Sequence, residues 1–206
     1  MGPQNGGMDA QADLFGAPAP ALPEGMRYEA GFLSPGEEAA LIAQIGRLPL
    51  APMQYQQYEA LRRVVSYGGR YDFSRQQLEA AEPIPDWLTP LRERAAAWIG
   101  AAPADFTQAL VAEYQPGTPL GWHRDVPDFE DIVGISLGAD AQLRFRPYPH
   151  EKGRRGGVLK VTVAPRSIYL LRGAARWQWQ HSVAPTQALR YSVTLRTARD
   201  RLSLRA

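Results

Sequence analysis

From Phe106 onward, apolar and β-branched residues come in short runs separated by Pro/Gly turn signals, at 106–115, 132–137, 142–146, 158–163, 167–171, 177–183 and 191–196. Seven such runs without a helical period between them predict an all-β sandwich or jelly roll. Its closed two-sheet form hides strand edges and leaves one mouth for a ligand. The N-terminal half carries a different period. Ser34-Pro35-Gly36-Glu37 has a capping residue, a proline suited to the first helical position and a glutamate that completes a capping box, and Leu41, Ile42, Ile45 and Leu48 then line one helical face. A second helix is predicted from Asp86 or Trp87 to Ile99, with Trp87, Leu88, Leu91, Ala95 and Trp98 near helical spacing and Gly100 as its stop. The expected architecture is an all-β core with a helical N-terminal layer.

Between the two helices, residues 55–74 hold Tyr55, Tyr58, Tyr67, Tyr71 and Phe73 with a Gly68-Gly69 break, which reads as a loop or a strand pair rich in aromatics. Residues 1–25 are rich in Gly, Ala and Pro with few large apolar side chains; they are expected to be flexible, leaving 26–206 as the folded domain. No basic start followed by an apolar core opens the chain, and no run approaches 18 apolar residues, so a soluble cytoplasmic protein without a membrane partner is the default expectation.

The absence of cysteine removes disulfides, thiolate zinc sites, iron–sulfur clusters and a cysteine nucleophile, leaving His, Asp and Glu as the strong metal ligands. Charge is unevenly spread. Residues 1–143 carry 9 Lys+Arg against 19 Asp+Glu, whereas 144–206 carry 14 against 2, almost all arginine. Such a segment is either a solvated basic face paired with the acidic half or a binding surface for a polyanion.

There are three histidines, His123, His150 and His181. In Gly121-Trp122-His123-Arg124-Asp125 the imidazole and the carboxylate stand two apart, so on extended chain they project from one face. His181 ends the strand-like run Trp177-Gln178-Trp179-Gln180-His181 and can supply a third ligand, while His150 lies in a turn-like stretch. Two His and one carboxylate form the facial triad of non-haem iron(II) oxygenases. In Arg190-Tyr191-Ser192-Val193-Thr194-Leu195-Arg196, alternation puts Arg190, Ser192, Thr194 and Arg196 on one face. Two inward arginines in a barrel are costly without anions, and a dicarboxylate co-substrate supplies them.

Tyr114-Gln115-Pro116-Gly117, the His123-Arg124-Asp125 triplet, the late His181 and the 190–196 run resemble the AlkB family of Fe(II)/2-oxoglutarate-dependent dioxygenases. The resemblance extends from about Arg62 to Arg196, since Tyr71-Asp72-Phe73-Ser74 and Pro83-Ile84-Pro85 also match that family in order. It implies a double-stranded β-helix in which His123, Asp125 and His181 hold Fe(II) and perform catalysis with 2-oxoglutarate and O2. Arg190 would pair with the far carboxylate of 2-oxoglutarate, Tyr114 and Ser192 would contact it, and Arg196 would sit near the metal-side carboxylate and Asp125. Residues 50–85 would form a substrate-recognition lid with Tyr67, Tyr71 and Phe73 against the substrate. The implied activity is oxidative demethylation of N-alkylated bases in methylated single-stranded or locally opened DNA or RNA, by a monomer. This chain departs from the family pattern at Ala112, where many relatives have Asn, and at Pro127, where the bacterial prototype is acidic.

Two other readings stay open: the same chemistry on tRNA, protein or a small molecule, and a non-catalytic jelly-roll module that binds nucleic acid. A plain binding module has no need of the paired arginines on the 190–196 strand.

Overall fold

The computed structural model describes residues 22–55, 58–72, 77–150 and 157–199. In chain order these form β1 (Met26–Glu29), α1 (Pro35–Ile45), β2 (Ala51–Tyr55), β3 (Tyr58–Tyr67), β4 (Gly69–Asp72) and β5 (Gln77–Ala80). A 3-10 turn (Asp86–Leu88) leads into α2 (Thr89–Ile99), followed by β6 (Phe106–Tyr114), β7 (Leu120–His123), β8 (Phe129–Leu137), β9 (Ala141–Pro147) and β10 (Leu159–Val163). The last described elements are β11 (Ser167–Leu171), α3 (Ala174–Trp177), β12 (Trp179–Val183) and β13 (Arg190–Ala198).

The helix start and stop signals act as read. Ser34 Oγ accepts the Glu37 N–H at 3.2 Å and the Glu37 carboxylate accepts the Ser34 N–H at 2.7 Å, a capping box worth about 1 kcal/mol. Gly100 ends α2 with φ +73°, where a side chain would be strained.

A seven-stranded sheet in the order β1-β11-β8-β13-β6-β3-β2 and a four-stranded sheet in the order β10-β9-β12-β7 make the core. Two apolar clusters hold the layers together. One joins Leu33, Ile45, Leu88, Leu91 and Ile99 of the helical layer to Val111, Ile135, Val193 and Leu195 of the large sheet. The other joins Phe129, Ile132, Tyr169 and Leu171 of the large sheet to Leu143, Phe145, Val161 and Val183 of the small one. Alternation along β13 therefore sends Tyr191, Val193 and Leu195 toward the helices and leaves Arg190, Ser192, Thr194 and Arg196 between the sheets. This β-rich core with an N-terminal helical layer is consistent with the expected double-stranded β-helix. Among the described residues no helix is long and apolar enough to cross a membrane.

Residues 55–74, read as a loop or an aromatic-rich strand pair, form strands where they are described: β3 pairs with β6 and widens the large sheet. It ends at Gly68, whose φ of +76° and close approach to the Thr107 carbonyl leave no room for a Cβ. Three details differ from the sequence reading. Residues 177–183 are not one strand, because Trp177 closes the one-turn helix α3 and β12 begins at Trp179. The extended chain assumed through Asp125 stops at His123. Finally, residues 22–25, expected to be flexible, pack on the fold: the Ala175 N–H donates to Glu24 O and the Arg172 N–H to Gly25 O, and Pro23 is buried. Residues 1–21 lie outside the described residues.

Candidate active site

His123 is the last residue of β7 and stands directly across from His181 on β12, their ring centroids 4.2 Å apart. Asp125 follows two residues beyond the strand. One ligand atom from each of the three lies within 4.8 Å of the others, and His181 Nε2 is 3.5 Å from Asp125 Oδ2. His123 Nδ1 is 2.9 Å from the Gly121 carbonyl, which can only accept, so Nδ1 carries the proton and Nε2 keeps its lone pair for a metal.

Electrostatics prepare the same donor set. Burial, and then the neighbouring His123, push the His181 imidazole down to about 3; burial lowers His123 too, against the pull of Asp125. Burial alone would push the Asp125 carboxyl up. The Arg196 guanidinium, aided by His181, His123 and Arg176, holds it instead well below the usual carboxylate range. At neutral pH the cluster is two neutral imidazoles and one carboxylate, the donor set of a facial triad.

Because Asp125 lies off the strand, other groups must fix it. Arg196 donates to Asp125 Oδ1 from Nε at 3.0 Å and from Nη2 at 2.7 Å, and its Nη1 donates to Gln108 Oε1 at 2.7 Å. Arg176, 2% exposed, directs Nη2 to the carbonyls of Asp125, Val126 and Phe129 at 3.2, 2.8 and 3.0 Å. That guanidinium gathers the ligand-bearing loop from below.

Arg190 begins β13 and is 1% exposed. Its Nε donates to Ser136 Oγ at 3.0 Å, its guanidinium lies 4.9 Å from the Tyr114 ring centroid, and Nη1 has no hydrogen-bond partner among the described residues. The Tyr114 hydroxyl is hydrogen-bonded with Arg62 and Ser192; burial pushes its acidity one way, and the Arg62 and Arg190 charges prevail in holding its pKa down. Tyr169 on β11 faces the same space, pushed up to about 12 by burial. A buried guanidinium with an orphaned nitrogen and no carboxylate is unfavourable until an anion enters. The residues present therefore fit a dicarboxylate reaching from the triad to Arg190.

The structure brings together His123, Asp125, His181 and Arg196 as one cluster, and Tyr114, Ser192 and Arg190 as another. It does not bring Tyr67 to them. Alternation along β3 puts Tyr67 with Val65 on the face that packs against the helices, across the large sheet from the triad. Tyr71 belongs to the β4–β5 hairpin opposite Leu78, and Phe73 lies outside the described residues. Sequence reasoning missed Ser136, Gln108, Tyr169 and Arg176. Alternation carries a signal for Tyr169, which shares a face with Ser167 and Leu171 on its strand, but nothing local marks Arg176, whose partners are backbone carbonyls some 50 residues away.

A family model described as the 2OG-Fe(II) oxygenase superfamily matches residues 25–205. The chain is 27% identical over 172 residues to "tRNA (carboxymethyluridine(34)-5-O)-methyltransferase alkbh8" of Xenopus tropicalis, which covers 81% of this chain and 26% of that protein. It is 31% identical over 124 residues to "Probable RNA/DNA demethylase ALKBH6" of Danio rerio, covering 60% and 50%. The chain thus spans between a quarter and a half of the length of these relatives. Among solved structures, that of OsALKBH1 superimposes with a TM-score of 0.67 at 16% identity, covering 86% of this chain and 98% of that one. A Pseudomonas putida prolyl-4-hydroxylase gives 0.56 at 18%, covering 85% and 93%, and both likenesses concern the fold. Since the family match runs through both sheets and all three metal ligands, the chain belongs to the 2OG-Fe(II) oxygenase superfamily and works with iron(II), 2-oxoglutarate and oxygen.

Proposed function

We propose that this oxygenase acts on a modified base in single-stranded or locally opened RNA, with tRNA the first candidate. The chemistry rests above all on the buried Arg190 nitrogen that lacks a partner among the described residues. His123 Nε2, Asp125 Oδ2 and His181 Nε2 would hold the iron, and Arg190 would take the far carboxylate of 2-oxoglutarate, with Tyr114 and Ser192 beside it. Arg196 occupies Asp125 Oδ1 and so leaves Oδ2 as the oxygen that would meet a metal. When bound, iron(II) and 2-oxoglutarate activate oxygen, coupling loss of carbon dioxide from the co-substrate to insertion of one oxygen atom into a substrate C–H bond. At an N-methyl carbon the product is a hemiaminal that releases formaldehyde, which is demethylation. At a carbon-linked substituent the alcohol persists.

RNA is preferred to DNA repair because several relatives over 79–81% of this chain bear the tRNA methyltransferase name. A base target must leave its stack, which costs a few kcal/mol in a duplex and less in a single strand. The deciding experiment supplies iron(II) and 2-oxoglutarate with bulk tRNA, methylated single-stranded RNA, the same sequences as DNA, and methylated peptides. Succinate release and nucleoside mass spectrometry are then read together. RNA should stimulate succinate formation and change one nucleoside; stimulation by peptides alone would overturn the reading.

A further inference from the structure

The described basic residues from Arg124 onward divide by their partners. Arg166, Arg172, Arg196 and Arg199 each meet a carboxylate, on Glu38, Asp131, Asp125 and Glu130 at 2.9, 2.6, 2.7 and 3.5 Å. Arg176 and Arg190 are buried at the site. Arg144 and Arg146 on β9, Lys160 on β10 and Arg124 just past β7 form no ion pair among the described residues.

Three of these four share one face. Leu143 and Phe145 point into the core, so Arg144 and Arg146 point outward from the small sheet, and register sets Lys160 beside Arg144. Neutral groups hold the two guanidiniums: Arg144 Nε donates to Ser182 Oγ at 2.9 Å and Arg146 Nε to Gln180 Oε1 at 2.7 Å. Both lie over the Trp122 ring, at 5.3 and 4.6 Å from its centroid. Arg124 is stacked on Tyr148 at 3.6 Å. These contacts use Nε atoms and ring faces and leave the terminal nitrogens of Arg144 and Arg146 without a protein partner among the described residues. The guanidiniums are thus ordered in advance, stand roughly 7 Å apart along the strand, and repel one another until an anion bridges them.

The position is informative too. β7 is the edge strand of the small sheet; its Trp122 supports the arginines outside, and the next residue, His123, is a metal ligand. Arg124 separates His123 from Asp125. A polyanion lying along the outer face therefore reaches the rim of the metal site at this edge.

We propose that the outer face of the four-stranded sheet, built from Arg144, Arg146, Lys160 and Trp122 and continued by Arg124, is the docking surface for the phosphate backbone of single-stranded nucleic acid. The strand runs over the face and turns its target base around the β7 edge toward the metal. This rests on the nucleic-acid reading above. Regular spacing, preorganised guanidiniums and lack of internal counter-charge match a repeating phosphate better than a compact anion.

The test is fluorescence anisotropy with an unmodified single-stranded RNA of about 20 nucleotides, on full-length protein loaded with Mn(II) and 2-oxoglutarate, across a salt series. Each phosphate contact contributes about −0.7 to the slope of log affinity against log salt, so four contacts give about −3. The double variant Arg144→Gln/Arg146→Gln should bring the slope to about half that value and weaken binding roughly tenfold at low salt. Lys160→Gln, at an exposed position, should remove about 0.7 of the slope, and Arg47→Gln in the helical layer should leave it unchanged. A wild-type slope in the double variant overturns the surface while leaving the nucleic-acid reading intact. An equal loss in Arg47→Gln, or equal affinity for an acidic peptide of the same charge, also overturns the surface. If the wild-type protein binds RNA at no salt concentration, surface and reading fall together.

Discussion

Arg196 spends two nitrogens on a single oxygen of Asp125, with Nε at 3.0 Å and Nη2 at 2.7 Å from Oδ1, while Oδ2 faces His181 Nε2 at 3.5 Å. The pair divides the carboxylate into one oxygen for the protein and one for the metal. Partners that orient a ligand in this way are typically worth about 10–100-fold in metal affinity. Arg196→Met should therefore weaken Fe(II) or Mn(II) binding by that order in a direct titration, whereas unchanged affinity would mean that Asp125 is held without it.

Arg190→Lys keeps the charge but loses the planar fork and its Ser136 contact. A hydrogen bond to a charged group contributes about 1.5–3 kcal/mol, so 2-oxoglutarate should bind roughly tenfold to a hundredfold more weakly to the Mn(II)-loaded variant by calorimetry. Wild-type affinity would assign the far carboxylate to another residue.

Gly134 on β8 pairs with Tyr169 on β11, and a Cβ at Gly134 would run into the Tyr169 ring. The ring lies over this glycine because no other residue leaves it room. Gly134→Ala should push Tyr169 into the space beside Arg190, lowering 2-oxoglutarate affinity and thermal stability together. Adding Tyr169→Leu should restore much of the stability; a double variant no more stable than Gly134→Ala would rule out the ring as the point of conflict.

His181 falls from an ordinary value of 6.5 to about 3, chiefly through burial. Between those values the unfolded chain holds a proton that the folded protein does not, so stability rises with pH, is complete above about 6.5, and is lost as pH falls through that window. The lowered Asp125 acts in the same sense at more acidic pH. The Tm of metal-free protein should drop between about pH 7 and about pH 5, and His181→Gln should flatten the slope. An equally steep decline in that variant would locate the linked proton elsewhere.

The metal ligands were legible in the sequence because histidine is scarce and strand alternation is simple: three histidines, one His-x-Asp pair, and an arginine at each end of one strand face. Strand alternation does not reach Asp125, because β7 stops after His123 and a guanidinium from α3 sets the loop. Tyr67 went astray for a related reason. An aromatic-rich segment reads as a lid when its pairing partner is unknown, and pairing with β6 fixes which face each tyrosine takes. Charge asymmetry was visible as a sum, but which arginines are neutralised depends on contacts up to 128 residues apart, such as Arg166 with Glu38.

One iron on His123, Asp125 and His181 and one 2-oxoglutarate anchored by Arg190 would meet between the two sheets. Anaerobic titration of Fe(II)-loaded protein with 2-oxoglutarate, followed by visible absorption, tests it most directly, because chelation of iron by the keto acid produces a charge-transfer band. The wild-type protein should develop the band at one equivalent. His181→Ala should not, and Arg190→Lys should reach the same band only at higher co-substrate concentration. A full band in His181→Ala, or none in the wild-type protein, would mean that these residues do not hold the iron and its co-substrate.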